Sequence, residues 1–173
     1  LNLFAYSGLA SLHAAVAGAK VTHIDASKRA IAQAFENRDV SGMQNAPIRF
    51  ITDDANCFVS REIRRNRLYD GIIMDPPKYG RGPKGEIWRI EEDLQPLLRQ
   101  TKKLLSPEAM FIVLTTYAIR ASSLATHYAL ADSLKNLNGV VESGELAVQE
   151  SAIFGQKTKR ILTQANFARW KAY

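Results

Sequence analysis

The chain has 173 residues, of which 46% are hydrophobic and 23% are charged, and its formal net charge is +6. This length and composition predict one globular domain with a sizeable core. The sequence has no apolar run long enough to span a membrane and no signal-peptide pattern, so we expect a cytoplasmic protein. A single cysteine excludes an internal disulfide, and three dispersed histidines argue against a metal site.

In the first half of the chain, apolar runs alternate with helical patterns. A strand is predicted over residues 1–5, and a helix over residues 8–18 should turn Leu9, Leu12 and Val16 towards the core. Further strands are predicted over residues 21–25, 48–52 and 69–74, with helices over residues 27–42 and 55–66 between them.

The second half continues this alternation and then departs from it. Residues 76–88 are predicted to be a loop, followed by a helix over 91–105, a strand over 109–116 and a helix over 122–137. Two closing strands, over 139–148 and 160–170, have no helix between them. The alternation predicts an α/β fold with a Rossmann-like, mostly parallel sheet and helices on both faces, and the closing pair predicts an antiparallel C-terminal edge hairpin.

Four consecutive predicted strands each finish in a short polar or acidic turn. These turns are Ala5-Tyr6-Ser7-Gly8, Asp25, Asp53-Asp54 and Asp75. In open α/β sheets, ligands bind at the carboxyl ends of the strands, close to the point where the strand order reverses. The four turns together therefore predict a ligand site along this edge.

Two of these turns carry acids with competing interpretations. Asp25 follows the first turn by about twenty residues, the spacing at which an acid reaches a ribose diol. The alternative is that Asp25 caps the second helix, a role for which Ser27 competes. Asp53 or Asp54 could accept from an adenine amine or cap the third helix, and we favour Asp54 as the adenine contact.

The first turn contains a single glycine, Gly8, and lacks the pattern Gly-x-Gly-x-x-Gly. Those glycines let the backbone approach the pyrophosphate of a dinucleotide. S-adenosylmethionine has a ribose and an adenine but no phosphate, so it tolerates a turn with fewer glycines. The turn therefore favours S-adenosylmethionine over NAD.

The segment Asp75-Pro76-Pro77-Lys78-Tyr79 closes the fourth strand. Proline fixes φ, lacks an N–H and forces the residue before it into extended geometry. Asp75 and Pro76 should therefore be extended, with carbonyls that no helix uses. A substrate amine could find acceptors there, and Tyr79 could offer it a flat surface. The alternative is a stiff loop that only ends the strand.

Basic residues form two clusters, Arg61, Arg64, Arg65 and Arg67 in one segment, then Lys78, Arg81, Lys84 and Arg89 around the proline segment. A polyanion is the partner that such clusters suit, and the alternative is a solvated basic surface. The functional interpretation is stronger for the second cluster, because it surrounds the candidate site.

Three blocks carry a resemblance to a known family: Asn2-Leu3-Phe4-Ala5-Tyr6-Ser7-Gly8, Asp25-Ala26-Ser27-Lys28-Arg29-Ala30, and Asp75-Pro76-Pro77-Lys78-Tyr79-Gly80-Arg81-Gly82. With these blocks the chain resembles class I S-adenosylmethionine-dependent methyltransferases, and more narrowly the bacterial large-subunit (23S) rRNA methyltransferases, over nearly its whole length. The resemblance implies a seven-stranded sheet with an antiparallel final strand. It also implies S-adenosyl-L-methionine as cofactor, S-adenosyl-L-homocysteine as product, and RNA as partner.

The resemblance assigns roles to individual residues. The resemblance and the strand-end turns together predict cofactor contacts at Phe4, Ala5, Tyr6, Ser7, Gly8, Asp25, Ala26, Ser27, Asp54, Ala55 and Asp75. The resemblance places the catalytic element at Asp75, Pro76, Pro77, Lys78 and Tyr79, with Asp75 orienting a target nitrogen and Tyr79 stacking on a base. The RNA contacts would be Lys78, Arg81, Lys84 and Arg89. Loop packing is the alternative for Tyr79.

Two features depart from the family pattern. Members that methylate cytosine at carbon 5 need an attacking thiolate near the end of strand four or five. Here strand five ends Leu114-Thr115-Thr116-Tyr117, and Cys57 is predicted to be a core residue of the third helix. The family's N-terminal RNA-binding region is also absent, and the chain opens without Met, so we expect residues 1–173 to be a single catalytic domain from a longer protein.

Three hypotheses follow, and the leading one is methylation of a base nitrogen in rRNA. The second is a small-molecule or protein methyltransferase, against which the charge of the loop argues. The third is a non-catalytic RNA-binding module, against which the intact Asp25 and Asp75 argue. Methylation at cytosine carbon 5 remains a further alternative, and the sequence does not predict the oligomeric state.

Overall fold

A computed structural model describes residues 1–117, 121–150 and 160–173. Its elements in chain order are β1 Asn2–Leu3, α1 Leu9–Val16, β2 Val21–Asp25, α2 Lys28–Val40, β3 Ile48–Thr52, α3 Ala55–Arg64, β4 Gly71–Met74, β5 Tyr79–Arg81, β6 Ile87–Arg89, α4 Ile90–Thr101, β7 Phe111–Thr116, α5 Ser123–Ser133, β8 Gly139–Gln149 and β9 Ile161–Ala172. A short 3₁₀ turn, Lys102–Leu104, follows α4. Among these helices, none is both long and apolar enough to span a bilayer.

The predicted α/β fold is confirmed. Seven strands form one sheet in the order β3-β2-β1-β4-β7-β9-β8, and β5 and β6 form a separate pair. The strands β3, β2, β1, β4 and β7 are parallel to one another, whereas β9 runs antiparallel to both β7 and β8. The chain builds outward from β1 to β3 and then returns to place β4 on the other side of β1. The strand order therefore reverses between β1 and β4, where a ligand crevice is expected.

Helices cover the sheet on both faces. On one face, α3, α4 and α5 enclose a core of fully buried side chains that includes Leu3, Ile24, Phe58, Leu98 and Leu114. The opposite face of β2 presents His23, which is also fully buried and contacts α1 through Ser11. Since neighbouring side chains of a strand alternate between faces, Ile24 and His23 tie one strand into both helical layers.

The predicted loop over residues 76–88 contains regular structure, so that prediction is wrong in part. β5 and β6 pair antiparallel with Gly80 opposite Trp88, and the amide of Gly82 donates to the Glu86 carbonyl at 2.8 Å. The Trp88 side chain is buried, and its indole N–H donates to the Pro77 carbonyl at 2.7 Å. Strands of three residues are too short to show alternation, which explains why the pattern was not visible.

The inward stripe predicted for α1 is also wrong at two of its three positions. Leu9 and Val16 are 68% and 73% exposed, whereas Leu12 is buried beside Ser11. Polar contacts set the orientation of the helix: the Ser11 hydroxyl accepts from the side-chain amide (Nδ2) of Asn2 at 2.9 Å and lies 2.9 Å from Nδ1 of His23. An apolar count along a helix does not anticipate a buried serine at the contact surface.

Burial lowers the pKa of His23 from 6.5 to about 4, while the negative charge of Asp25 opposes this shift. The imidazole is fully buried between α1 and the sheet, and its ring lies 4.9 Å from that of Phe50. The folded protein therefore keeps His23 neutral at a pH where the unfolded chain already binds a proton.

This difference predicts a loss of stability in mild acid. The contribution of neutral His23 is fully present above pH 6.5 and is lost as the pH falls towards about 4, by roughly 3 kcal/mol in total. Urea unfolding of the parent and of His23→Gln, measured from pH 7.5 to pH 4, isolates this contribution as the difference between the two curves. If the free energy of unfolding changed with pH in the same way in both proteins, the buried, neutral state of His23 would be contradicted.

Candidate functional site

A cavity of about 390 Å³ opens at the carboxyl edge of the sheet, where the turns after β1 to β4 meet. The residues predicted from sequence that line it are Phe4, Tyr6, Asp25, Ala26, Ser27, Asp54, Ala55, Asp75, Pro77 and Arg81. The predicted residues that lie outside its lining are Ala5, Ser7, Gly8, Pro76, Lys78, Tyr79, Lys84 and Arg89. Strand ends thus bring together acids from three separate turns.

The turn after β1 has an unusual backbone that Asp25 holds in place. Phe4, Tyr6 and Gly8 have φ angles of 55°, 46° and 94°, and residues other than glycine rarely adopt this region of backbone conformation. The Tyr6 amide donates to Oδ2 of Asp25 at 2.8 Å, and the Ser27 amide donates to Oδ1 at 2.8 Å. Both carboxylate oxygens are therefore fixed by backbone, and each retains a lone pair for a ligand hydroxyl.

The cap of α2 is made by Ser27, not by Asp25. The Ser27 hydroxyl accepts from the Ala30 amide at 3.2 Å. This contact leaves Asp25 free of the capping role that was its alternative interpretation. The Asp25 carboxylate faces the cavity instead, as the ribose interpretation requires.

Asp53 and Asp54 are both buried but have different partners. Asp53 forms an ion pair with Arg61, and its Oδ1 accepts from the Asp54 amide at 3.0 Å. Oδ1 of Asp54 caps α3 by accepting from the Cys57 amide at 2.9 Å. A carboxylate has two oxygens, so Asp54 can cap the helix with one and meet a ligand in the cavity with the other.

Asp75 lies exposed at the end of β4, and its Oδ1 accepts from the hydroxyl of Thr115 on the neighbouring strand. The carbonyl of Pro77 is used by Trp88, and that of Lys78 accepts from the Ile90 amide at 3.0 Å. Within the described residues, the carbonyls of Asp75 and Pro76 receive no such contact. Asp75 therefore offers a carboxylate and a carbonyl as acceptors, whereas Pro76 is buried and lies outside the cavity lining.

Aromatic side chains form a wall of the cavity, and of Phe4, Trp88 and Tyr117 only Phe4 was predicted as a contact from the sequence. Trp88 lies 4.7 Å from the ring of Phe4, and Tyr117 follows β7 at 40% exposure. Burial raises the pKa of the Tyr117 hydroxyl, and the charges of Asp75 and Asp25 raise it further. Tyr117 could have been found as the fifth strand-end turn, whereas Trp88 lay in an apparent loop without any signal.

The rim of the cavity is less basic than its lysines and arginines suggest. Lys78 lies 3.8 Å from Glu91, and Arg89 lies 3.5 Å from Glu92. Residues 75–93 contain four basic side chains, Lys78, Arg81, Lys84 and Arg89, and five acidic ones, Asp75, Glu86, Glu91, Glu92 and Asp93. Exposed ion pairs contribute little to stability, but they reduce the field that attracts a polyanion.

The prediction that Cys57 is a core residue is wrong. Its side chain is exposed on α3, with the sulfur 4.0 Å from Oε1 of Glu86, and it does not line the cavity. Partial desolvation and the negative charges of Asp54 and Glu86 raise the pKa of the thiol. The thiolate is the nucleophilic form of cysteine, so these surroundings make Cys57 a poor nucleophile.

The sequence is similar to curated methyltransferases, although no family model matches it. It is 40% identical over 114 residues to ribosomal RNA large subunit methyltransferase K/L of Shewanella frigidimarina, and 37% identical over 114 residues to the protein of the same name from Pseudoalteromonas translucida. Each match covers 65% of this chain and 16% of the relative. The chain thus spans about one sixth of the length of these relatives.

Solved structures share the fold. The SAM-dependent methyltransferase from Agrobacterium tumefaciens is 46% identical, with a TM-score of 0.96 over 99% of this chain and 55% of that one. Magnesium protoporphyrin IX methyltransferase from Synechocystis, solved with bound SAM, is 16% identical and matches with a TM-score of 0.61 over 99% of this chain and 68% of that one. The resemblance to S-adenosylmethionine-dependent methyltransferases, and among them to large-subunit rRNA methyltransferases, is therefore confirmed.

The position of Cys57 predicts that the folded protein reacts with a water-soluble disulfide reagent. We expect complete labelling in the native state, more slowly than for a free thiol at the same pH, because the raised pKa reduces the thiolate fraction. Native mass spectrometry and the rate of thiol release measure both quantities. Labelling only after denaturant is added would show that Cys57 is buried after all.

Proposed function

We propose that this chain catalyses S-adenosylmethionine-dependent methylation of a base nitrogen in ribosomal RNA. The observation that carries the proposal is the Asp25 carboxylate, which two backbone amides fix at the wall of a cavity bounded on its other side by Asp75. β1 lies between β2 and β4, so the two acids are separated by two strand spacings, about 10 Å. This span suits a nucleoside with its reacting group at the far end.

The residues of the cavity fit this cofactor. Asp25 offers acceptors for two ribose hydroxyls, and Asp54 offers one for an adenine amine. Phe4 and Trp88 supply apolar surface for the adenine ring. The volume of about 390 Å³ lies in the range of small-molecule sites. When bound, S-adenosylmethionine supplies a methyl group already activated by its positively charged sulfur.

The remaining chemistry belongs to the proline segment. Asp75 accepts from an N–H group of the target nitrogen and so aims its lone pair. As the bond from nitrogen to the methyl group forms and the bond from sulfur to that methyl group breaks, the nitrogen becomes more positive, and the carboxylate of Asp75 stabilises that charge and accepts the N–H proton that the nitrogen then loses. Trp88 and Tyr117 reduce access of water to the same place. Alignment and a fitting electrostatic environment are the contributions such a transfer needs.

A nitrogen is favoured over cytosine carbon 5, because carbon 5 needs a thiolate to activate the ring. Thr115 and Tyr117 stand at the end of β7, and Cys57 lies outside the cavity with a raised thiol pKa. The arrangement of these side chains supports direct transfer without a covalent adduct. Tyr79 is half exposed on β5 and is available to stack on a base, although it does not line the cavity.

RNA is favoured as the substrate class because the curated relatives are named for it. Arg81 lines the cavity, and neither Arg81 nor Lys84 forms an ion pair within the described residues. These two side chains are the phosphate contacts that the structure favours. The nearly balanced charge of residues 75–93 favours a second candidate, a small uncharged acceptor.

The deciding experiment offers labelled S-adenosylmethionine and the purified protein three acceptor pools. These are large-subunit rRNA from a strain lacking the gene, the metabolite fraction of that strain, and its protein fraction. We expect label in RNA, at a base nitrogen identified by nucleoside mass spectrometry. Label confined to metabolites would establish the second candidate, and label at carbon 5 of cytosine would overturn the nitrogen assignment.

Replacing Asp25 by Ala should weaken S-adenosylhomocysteine binding at least about tenfold, because hydrogen bonds to charged groups contribute roughly 1.5–3 kcal/mol each. Isothermal calorimetry measures the affinity, and circular dichroism verifies folding. Asp70→Asn is the matched control, since Asp70 is an exposed acid that precedes β4 at the opposite edge of the sheet. Equal losses in both variants would refute the ribose assignment.

Asp75→Asn should reduce turnover far more than RNA affinity, since its charge acts mainly in the transition state. Single-turnover rates measure the first quantity and RNA-binding isotherms the second.

Arg81→Gln combined with Lys84→Gln should weaken RNA binding and lower the salt slope by about one for each lost phosphate contact. Lys78→Gln combined with Arg89→Gln is the matched control, because both cations are already paired. Binding isotherms at several salt concentrations give the dependence of RNA affinity on salt for the parent and for the two double variants. Equal salt slopes in these three proteins would show that the rim does not hold phosphates.

A further inference from the structure

Thr115 is the residue of β7 that faces Asp75. β4 and β7 are parallel, with Met74 opposite Leu114, so the next pair in register is Asp75 and Thr115. Burial alternates along β7, and Thr115 is half-buried while its neighbour Thr116 is fully buried on the other face. The sheet itself therefore delivers a hydroxyl to the carboxylate at the end of β4.

The hydroxyl of Thr115 donates to Oδ1 of Asp75, and the carbonyl of Met74 lies 3.4 Å from the same hydroxyl. Pro76 restricts the backbone of Asp75 to extended geometry, so its side-chain torsion is the main freedom left to the carboxylate. The side chain of threonine is branched at Cβ and stiff at χ1, which makes it a firm donor. One oxygen of Asp75 is thus held, and the other stays available to a substrate.

We propose that Thr115 is a positioning residue for methyl transfer: its hydroxyl fixes Oδ1 of Asp75 so that Oδ2 accepts from the target amine. This inference rests on the proposed function of Asp75. Without the hydroxyl, the exposed carboxylate can rotate about χ1, and fewer encounters place the target nitrogen in line with the methyl group. The proposed ribose and adenine contacts are made by Asp25 and Asp54, so cofactor affinity should not depend on the Thr115 hydroxyl.

Three variants separate positioning from a merely structural role. Thr115→Val keeps the branched shape and removes the donor, whereas Thr115→Ser restores the donor without the methyl group. Thr116→Val is the neighbouring control: the Thr116 hydroxyl lies 2.9 Å from that of Thr126, and its loss leaves a buried hydroxyl unpaired. We expect Thr116→Val to lower the melting temperature without changing the rate of transfer.

Single-turnover methyl transfer should fall about tenfold or more in Thr115→Val, with S-adenosylhomocysteine affinity unchanged, and Thr115→Ser should recover most of the rate. In an Asp75→Ala background, Thr115→Val should cost nothing further, because the hydroxyl acts only through Asp75. Equal rates in the parent and Thr115→Val, or equal losses in the Val and Ser variants, would overturn the proposal.

A second measurement does not require turnover. Three-bond couplings of the Asp75 β-protons should report one rotamer in the parent and in Thr115→Ser, and averaged rotamers in Thr115→Val. A parent that transfers no methyl group but shows this rotamer change would overturn the proposed function and keep the positioning contact. A parent that transfers methyl while its Asp75 rotamer ignores Thr115→Val would overturn the inference alone.

Discussion

The site depends on one carboxylate that joins two turns. Asp25 accepts from the amides of Tyr6 and Ser27, and the first of these contacts anchors the turn in which Phe4 and Tyr6 have positive φ angles. Such backbone strain costs on the order of 1–3 kcal/mol per residue, and hydrogen bonds to a charged acceptor offset it by a similar amount. The turn is therefore shaped before a ligand arrives, because the charge that would meet the ligand also organises the backbone beneath it.

Sheet topology decides which chemistry this preformed turn can serve. β1 is the innermost parallel strand, and the chain leaves it in opposite directions towards β2 and β4. The acids at the ends of those two strands consequently flank a single crevice, although fifty residues separate Asp25 from Asp75 in the sequence. One acid sits where backbone amides restrain it fully, and the other is exposed with a single side-chain donor. Both oxygens of Asp25 thus have backbone donors, whereas one oxygen of Asp75 has no partner among the described residues.

The sequence predicted the long parallel strands well, since β2 and β3 were placed to the residue. It failed where tertiary contacts override local pattern. The hairpin of β5 and β6 depends on burial of Trp88 against Pro77, and the orientation of α1 depends on Ser11 bonding to His23. Cys57 is exposed because it lies on the solvent side of α3, whose neighbouring residues Ala55 and Phe58 face the core. The cavity-lining acids were predictable because strand ends mark them, but Trp88 in the aromatic wall was not.

Ion pairs within the protein reduce the positive charge that the rim of the cavity presents to a polyanion. A count of basic residues alone predicts electrostatic attraction of a polyanion such as RNA. However, Glu91 and Glu92 in the first turn of α4 form ion pairs with Lys78 and Arg89. Since pairing within the protein lowers the number of counterions that binding can release, few phosphates can be held here. For the base methylation proposed above, the acceptors that remain at this edge are those of the proline segment, and the half-exposed ring of Tyr79 is the surface available for stacking.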